Sequence, residues 1–88
     1  MQAFKIENHI IAADLIEDAM NLFKHEIGGY FPENVEEIDI SDQIECDDGR
    51  IMTVKDVINE TLDERQEWLR MGFQCEVYRP FLIKKLKD

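Results

Sequence analysis

The chain has 88 residues, of which 44% are hydrophobic and 34% charged, and its 20 acids and 10 bases give a formal net charge of -10. This length predicts a single domain over residues 1–88, and the composition is that of a globular protein. The charge disfavours direct binding to nucleic acid or to an anionic membrane surface, because both require lysine and arginine. The longest apolar run, Ile10–Ala13, is too short for a transmembrane helix. With no secretory signal pattern, we expect a cytoplasmic protein in which Cys46 and Cys75 are reduced thiols.

The first two predicted elements are a strand and a helix. Residues 2–7 alternate between apolar and polar side chains, which is typical of a half-buried strand. Apolar residues then recur at steps of three and four over residues 11–27, which predicts an amphipathic helix entered through Asn8 as a cap. Gly28 and Gly29 are expected to end this helix, because glycine adopts the left-handed conformation without a Cβ clash.

The middle of the chain predicts short strands. Ile38 and Ile40 are two residues apart within residues 33–40, which favours a second strand. Residues 43–46 and 50–52 flank a turn sequence of two aspartates and a glycine. They predict either a hairpin or a bent third strand.

The clearest predicted element is a long helix that begins after Thr53 and ends before Gly72. Asp56 follows the capping threonine by three residues, which approaches a capping box, and the glycine suits the first position after the helix. In a Schellman motif this arrangement brings Trp68 and Phe73 into contact. We therefore predict that Trp68, the only tryptophan, packs in the core.

The end of the chain predicts one or two further strands. Residues 73–78 alternate in the manner of a strand, and Pro80 marks an edge or a bend because it cannot donate to a ladder. Residues 81–86 suit a strand or a short helix that begins at the proline, and the strand is favoured.

The predicted order is therefore β-α-β-(β)-α-β, which gives an α+β fold. It resembles the ferredoxin-like arrangement in element order, with two helices packed on one face of a small, mainly antiparallel sheet. Six apolar residues of the strands are expected under those helices: Phe4, Ile6, Ile38, Ile40, Cys75 and Val77. This likeness implies no function, because the fold supports many unrelated functions.

The sequence contains no recognisable catalytic or metal-binding motif. His25 lacks the second histidine of a zinc-protease helix, since that position is Gly29, and His9 lies at the far end of the same predicted helix. The turn at residues 47–49 does not fit the ligand spacing of an EF-hand. Ser41, the only serine, has no nucleophile motif around it. We therefore predict a protein that is not an enzyme and that carries no metal or cofactor.

Charge placement is the feature that bears on function. Residues 33–48, here called the acidic segment, contain eight acids and neither lysine nor arginine. The acids are Glu33, Glu36, Glu37, Asp39, Asp42, Glu45, Asp47 and Asp48. They are interpreted either as a solvated surface or as a binding site for a basic protein partner. In the second case, the carboxylates could imitate a phosphate backbone.

Two functions are compatible with these features. The first is an acidic interaction module that inhibits a nucleic-acid-binding protein as a nucleic-acid mimic. Phage anti-defence proteins, including anti-CRISPR proteins, often have this size and charge. The alternative is a ferredoxin-like regulatory or ligand-binding domain that forms a homodimer through its sheet. Its apolar cleft would be lined by Tyr30, Phe31, Tyr78 and Phe81.

Overall fold

The computed structural model describes residues 1–86 and contains six strands, two α-helices and one π-helix in that range. Lys87 and Asp88, the end of the predicted domain, lie outside the described residues. The elements are β1 (Gln2–Ile6), β2 (His9–Ala13), α1 (Ile16–Leu22), π1 (Phe23–Gly28), β3 (Glu36–Ile38), β4 (Gln43–Glu45), β5 (Ile51–Thr53), α2 (Val54–Arg70) and β6 (Phe81–Lys85). Four strands form an antiparallel sheet in the order β3-β1-β2-β6, and β4 pairs with β5 as a separate hairpin. The α+β class and the mainly antiparallel sheet are confirmed.

The largest correction concerns the start of the predicted helix, where strand β2 occupies residues 9–13 and a bend follows at residues 14 and 15. Glu7 and Asn8 form the turn between β1 and β2, and Glu7 adopts a left-handed φ of 54°. β2 lies between β1 and β6, and Ile10–Ala13 is buried throughout. A strand that is covered on both faces has a continuous apolar run, which periodicity cannot distinguish from a buried helical segment.

The rest of the predicted helix, from residue 16 onwards, is confirmed, although its pitch changes. α1 begins at Ile16 and continues directly into π1, which ends at Gly28. Gly29 then adopts a φ of 77°, as predicted for a helix-ending glycine. A Cβ on Gly28 would lie 2.5 Å from the Phe23 ring, so the buried ring requires a glycine beside it.

The two helical layers lie on opposite faces of the sheet, because successive side chains of a strand point to opposite sides. The cluster against α1 and π1 consists of Phe4, Ile6, Ile11, Ala13, Ala19 and Phe23. The cluster against α2 consists of Ala3, Ile10, Ala12, Val54 and Ile58, with Ile38 and Ile40 partly buried beside it. The structure thus corrects the prediction that both helices cover one face. The ferredoxin-like order is not confirmed either, since a strand and not a helix follows β1.

The start of α2 agrees with its sequence signals. Thr53 is the N-cap, and its hydroxyl accepts a hydrogen bond from the Asp56 amide at 3.1 Å. The amides of Val54 and Lys55 donate to carbonyl oxygens of the segment between β3 and β4, at 2.9 Å each. Three amides of the first turn are therefore satisfied, and the β3–β4 segment is held against the start of α2.

The end of α2 has the predicted backbone but not the predicted packing. The Phe73 amide donates to the Trp68 carbonyl at 3.0 Å, and the Gly72 amide to the Leu69 carbonyl at 3.1 Å. With a φ of 93° at Gly72, these bonds form a Schellman motif. The side chains of Trp68 and Phe73 are nevertheless 45% and 60% exposed. The prediction that Trp68 packs in the core is therefore wrong.

The strand predicted over residues 73–78 is not formed, and carbonyl groups at and just beyond its end bond to a side chain instead of a neighbouring strand. Nη1 of Arg65 donates to the carbonyl oxygens of Val77 at 2.9 Å and Arg79 at 2.6 Å. Its guanidinium carbon lies 4.8 Å from the centre of the Phe81 ring. The predicted strand that follows is confirmed as β6, which pairs with β2. Among the described helices, none is long and apolar enough to cross a membrane.

Candidate interaction surface

All eight carboxylates of the acidic segment belong to exposed residues. They lie before β3 (Glu33), on β3 (Glu36 and Glu37), between β3 and β4 (Asp39 and Asp42) and on the β4–β5 hairpin (Glu45, Asp47 and Asp48). Since the β3–β4 segment bonds to the first turn of α2, these places are linked through the start of that helix. The acidic segment therefore runs from the edge of one sheet, through a connection anchored on α2, to the hairpin of the other sheet.

β3 is an edge strand, and its charges flank the edge on both sides. It pairs only with β1 in the four-stranded sheet, where Glu36 lies opposite Lys5 and Glu37 opposite Phe4. Neighbouring side chains on a strand point to opposite faces, so the two carboxylates diverge. The strand does not form one flat row of charge, but it carries negative charge around its open edge.

The two acids of the β3–β4 connection, Asp39 and Asp42, differ in what their side chains contact. Oδ1 of Asp39 accepts a hydrogen bond from the Ser41 amide at 2.9 Å, and the Asp39 carbonyl accepts one from the Asp42 amide at 3.0 Å. The Asp39 side chain therefore helps to fold the loop. The Asp42 carboxylate forms no hydrogen bond or ion pair with the described residues, whereas its main chain supports α2.

Asp48 is the one acid of this segment that is paired with a base within residues 1–86. Its carboxylate accepts hydrogen bonds from the Arg50 amide at 3.1 Å and from Nε of Arg50 at 2.6 Å. The hydrogen bond from the Arg50 backbone amide is the largest of the causes that hold the pKa of Asp48 below its usual value. Arg50 also approaches Glu60 at 3.4 Å, so its charge is used within the chain.

The other seven carboxylates form no ion pair with any residue between 1 and 86. No basic side chain among residues 1–86 therefore neutralises their charge. A dense group of unpaired charges gives a strong local potential, which attracts a partner of opposite sign. This excess of unpaired carboxylates is the geometric property of the acidic segment that bears on binding.

No cofactor or metal site is evident in the described part of the chain. Between residues 1 and 86, no three histidine, cysteine or carboxylate side chains converge to hold a metal ion. A cavity of about 310 Å³ lies at the hairpin, but Asp47 and Asp48 in its wall face Arg50 and Lys84. Its charges balance, so the cavity favours neither an anion nor a cation.

Of the four aromatic residues predicted to line one ligand cleft, Tyr30 and Phe31 lie together, but Phe81 lies on the opposite side of the sheet. The Tyr30 ring packs edge-on against Phe23, 5.4 Å away, on the α1 side of the sheet. Its hydroxyl donates to Glu7 at 2.6 Å, and that bond raises the pKa of Tyr30. Phe31 lies beside Lys24, whereas Phe81 belongs to the cluster on the opposite side. The predicted cleft is therefore not formed, and both sheet faces are covered by helices.

The sequence reasoning missed an exposed apolar surface at the end of α2. Trp68, Leu69, Met71 and Phe73 are 45%, 44%, 64% and 60% exposed, and we call them the Trp68 patch. The signal was present in the sequence, since four large apolar residues fall within six positions around one helix end. Such a group exceeds what a single helix face can bury.

Comparison with known proteins identifies no relative of this chain. No family model matches it, and the searches of curated proteins and of solved structures also find no match. Function is therefore inferred from the residues of this chain alone.

Proposed function

We propose that this protein is a non-enzymatic interaction module whose acidic segment binds a basic protein. The observation that supports this proposal is the presence of seven exposed carboxylates without a described ion-pair partner, next to one that is paired. Carboxylates that the chain does not neutralise are free to meet lysine and arginine side chains. Complementary potentials of this kind accelerate association and select the partner.

The partner that suits this surface best is a nucleic-acid-binding protein. Such proteins use lysine and arginine to bind a chain of phosphates. The carboxylates around β3, the following loop and the hairpin would occupy part of that basic surface and exclude the nucleic acid. The protein would then act as a competitive inhibitor, in the manner of phage anti-defence proteins. The two free cysteines fit action in the reducing cytoplasm.

The proposal is tested with two variants of equal charge. The segment variant combines Glu36→Lys, Glu37→Lys and Asp42→Lys, and leaves Asp39 intact because its carboxylate folds the loop. The control variant reverses three exposed acids elsewhere, Glu17, Asp63 and Glu64, to lysine. Each variant carries three reversals of two units, which change the net charge from -10 to -4.

Both variants and the original protein are immobilised and exposed to a lysate of the source cells. We expect the original and the control variant to capture the same basic protein, and duplex DNA or RNA to release it. The segment variant is expected to capture none of it, because lysines would then face the partner's own bases. Equal capture by both variants would show that the acidic segment is not the binding site.

A further inference from the structure

A cavity of about 580 Å³ lies between the β1–β2 turn and the segment that follows π1. Its lining residues are Glu7, Tyr30, Phe31, Pro32, Glu33 and Asn34, and we call it the Tyr30 cleft. Two carboxylates and two aromatic rings therefore line the cleft, and no lysine or arginine of residues 1–86 does. The groove beside the Trp68 patch, in contrast, is lined by Arg65 and Arg79 as well as by Glu76.

Packing and hydrogen bonding fix the Tyr30 ring in the wall of this cleft. The ring packs edge-on against Phe23, 5.4 Å away, and its hydroxyl donates to one carboxylate oxygen of Glu7 at 2.6 Å. Tyr30 and Phe31 are 49% and 52% exposed, so part of each ring remains accessible to a ligand. A binding group that is already held in place loses less conformational entropy when a ligand arrives.

The aromatic rings and the carboxylates both favour a cation in the cleft. The face of an aromatic ring attracts an ammonium or guanidinium group within about 6 Å of its centre. The chain itself contains such a contact, since Nζ of Lys24 lies 4.2 Å from the centre of the Phe31 ring. Glu7 and Glu33 form no ion pair within residues 1–86. Even with the nearby ammonium counted, the two carboxylates leave an excess of negative charge.

A guanidinium suits this combination of groups better than an ammonium. Its plane stacks on aromatic rings, and its five N–H donors bond to carboxylates in pairs. The ammonium of lysine is compact and strongly hydrated, so placing it against a ring costs more free energy of desolvation. Glu33 is also the first acid of the acidic segment, so the cleft is continuous with the surface that is proposed to bind a basic protein.

We propose that the Tyr30 cleft holds an arginine side chain of the basic partner. The guanidinium lies against the aromatic rings and donates hydrogen bonds to the carboxylates of Glu7 and Glu33. The inference rests on the proposed function, because it gives the same partner a specific anchor at the start of the acidic segment. A planar group that must match both rings and carboxylates adds selectivity to the attraction between exposed charges.

The test uses three short peptides with blocked ends, each with one varied residue between glycines. This residue is arginine, citrulline, which keeps the shape without the charge, or lysine, which keeps the charge without the planar group. We expect the arginine peptide to shift the nuclear magnetic resonances of the Tyr30 and Phe31 rings. The citrulline peptide is expected to bind about tenfold more weakly and the lysine peptide about threefold more weakly.

Two charge variants locate the bound arginine. Glu7→Gln with Glu33→Gln retains an acceptor for the tyrosine hydroxyl and should remove most of the preference for arginine over citrulline. Asp63→Asn with Glu64→Gln removes two exposed charges from α2 and should keep that preference. A preference that survives in the first variant would place the arginine elsewhere on the protein and overturn the inference.

Ring variants test the aromatic contact separately from charge. Phe31→Leu is expected to weaken the arginine peptide about threefold, because it removes one ring face. Phe73→Leu, at a ring of similar exposure beyond α2, is the matched control and should change nothing. Lys24→Met should strengthen binding, because it removes a competing cation from the Phe31 ring. Circular dichroism of each variant confirms that the fold is retained before binding is measured.

The outcomes distinguish a failure of this inference from a failure of the proposed function. The segment variant retains Glu7 and Glu33, so it should still prefer arginine over citrulline even though it captures no partner. Equal binding of these two peptides, or ring resonances that do not move, would overturn the inference and leave capture by the acidic segment standing. Equal binding of the arginine and lysine peptides would overturn the assignment of a guanidinium.

Discussion

At the scale of single residues, Arg65 shows how one side chain replaces a missing strand partner. Its guanidinium donates hydrogen bonds to the carbonyl groups of Val77 and Arg79 and also lies over the Phe81 ring. Hydrogen bonds from a charged donor to carbonyl groups are stronger than neutral ones, and a planar guanidinium can make several together. Arg65 thereby fixes the segment that leads from α2 into β6.

Replacing this side chain is expected to destabilise the protein. Arg65→Met keeps the aliphatic stem but removes the donors, and we expect the free energy of unfolding to fall by about 2 kcal/mol. Arg70→Met is the matched control, because that side chain is 71% exposed and, among residues 1–86, forms an ion pair with Glu67 alone. Its expected cost is below about 0.5 kcal/mol. Urea unfolding measures both, and equal costs would contradict this role of Arg65.

Tyr30 provides a prediction about pH. The hydrogen bond to Glu7, reinforced by the negative charge of that carboxylate, raises the pKa of Tyr30 above 10.0. Because the folded pKa exceeds the unfolded one, this contact stabilises the fold fully below the unfolded value. The contribution is then lost as the pH rises through the folded pKa.

Titration of tyrosinate absorbance tests this interaction in a Tyr78→Phe background, where only Tyr30 remains. Glu7→Ala is expected to move the pKa of Tyr30 down towards 10.0, since both the bond and the charge are removed. Glu33→Ala is the control and should have little effect, because Glu33 lines the Tyr30 cleft of about 580 Å³ together with Tyr30 and Glu7 but does not bond to the tyrosine. A titration that Glu7→Ala leaves unchanged would show that the bond does not persist in solution.

Residues whose role depends on their immediate neighbours were predictable from the sequence. Thr53, Gly29 and Gly72 act as expected because capping and left-handed glycine are local properties of the chain. Trp68 and Arg65 were not predictable in the same way. Their burial depends on whether the segment after α2 forms a strand over them, and that is decided by tertiary contacts.

At the scale of elements, α2 depends on its cap. Thr53→Ala removes the hydroxyl that accepts from the Asp56 amide, and we expect a loss of about 1 kcal/mol in the free energy of unfolding. Thr61→Ala makes the same chemical change in the middle of the helix. There alanine has the higher helix propensity, so the change should be small or slightly stabilising. Thermal or urea unfolding measures the free energy of unfolding of both variants. Similar losses in the two would mean that the Thr53 cap does not stabilise the helix.

β2 explains why the start of the first predicted helix was wrong. Residues 10–13 are apolar without interruption, and their continuation into α1 extends a helical pattern across a boundary between elements. The two-residue turn at Glu7 and Asn8 contains no glycine, so the usual sign of a tight hairpin is missing. The β4–β5 hairpin, in contrast, was one of two alternatives predicted from the turn sequence at residues 47–49, and Gly49 adopts a φ of 88° there.

At the scale of the whole molecule, the arrangement of layers restricts the candidate binding surfaces to the edge of the sheet, the Tyr30 cleft beside its β1–β2 turn, the hairpin and the end of α2. This follows because helices cover both faces of the sheet. The exposure of the eight acids could be predicted from composition and position. Which of these acids forms an ion pair could not be predicted, because the contact between Asp48 and Arg50 depends on the turn that brings the two side chains together.

The central claim is that the acidic segment binds a basic protein through its unpaired carboxylates. Its most direct test is the dissociation constant of the captured partner, measured by calorimetry over a series of salt concentrations. For the original protein and the control variant, we expect the affinity to fall steeply with salt, because exposed charges are screened. The segment variant should bind about 100-fold more weakly at low salt, with little further change. A segment variant that retains the original affinity, or an affinity that salt does not alter, would contradict the claim.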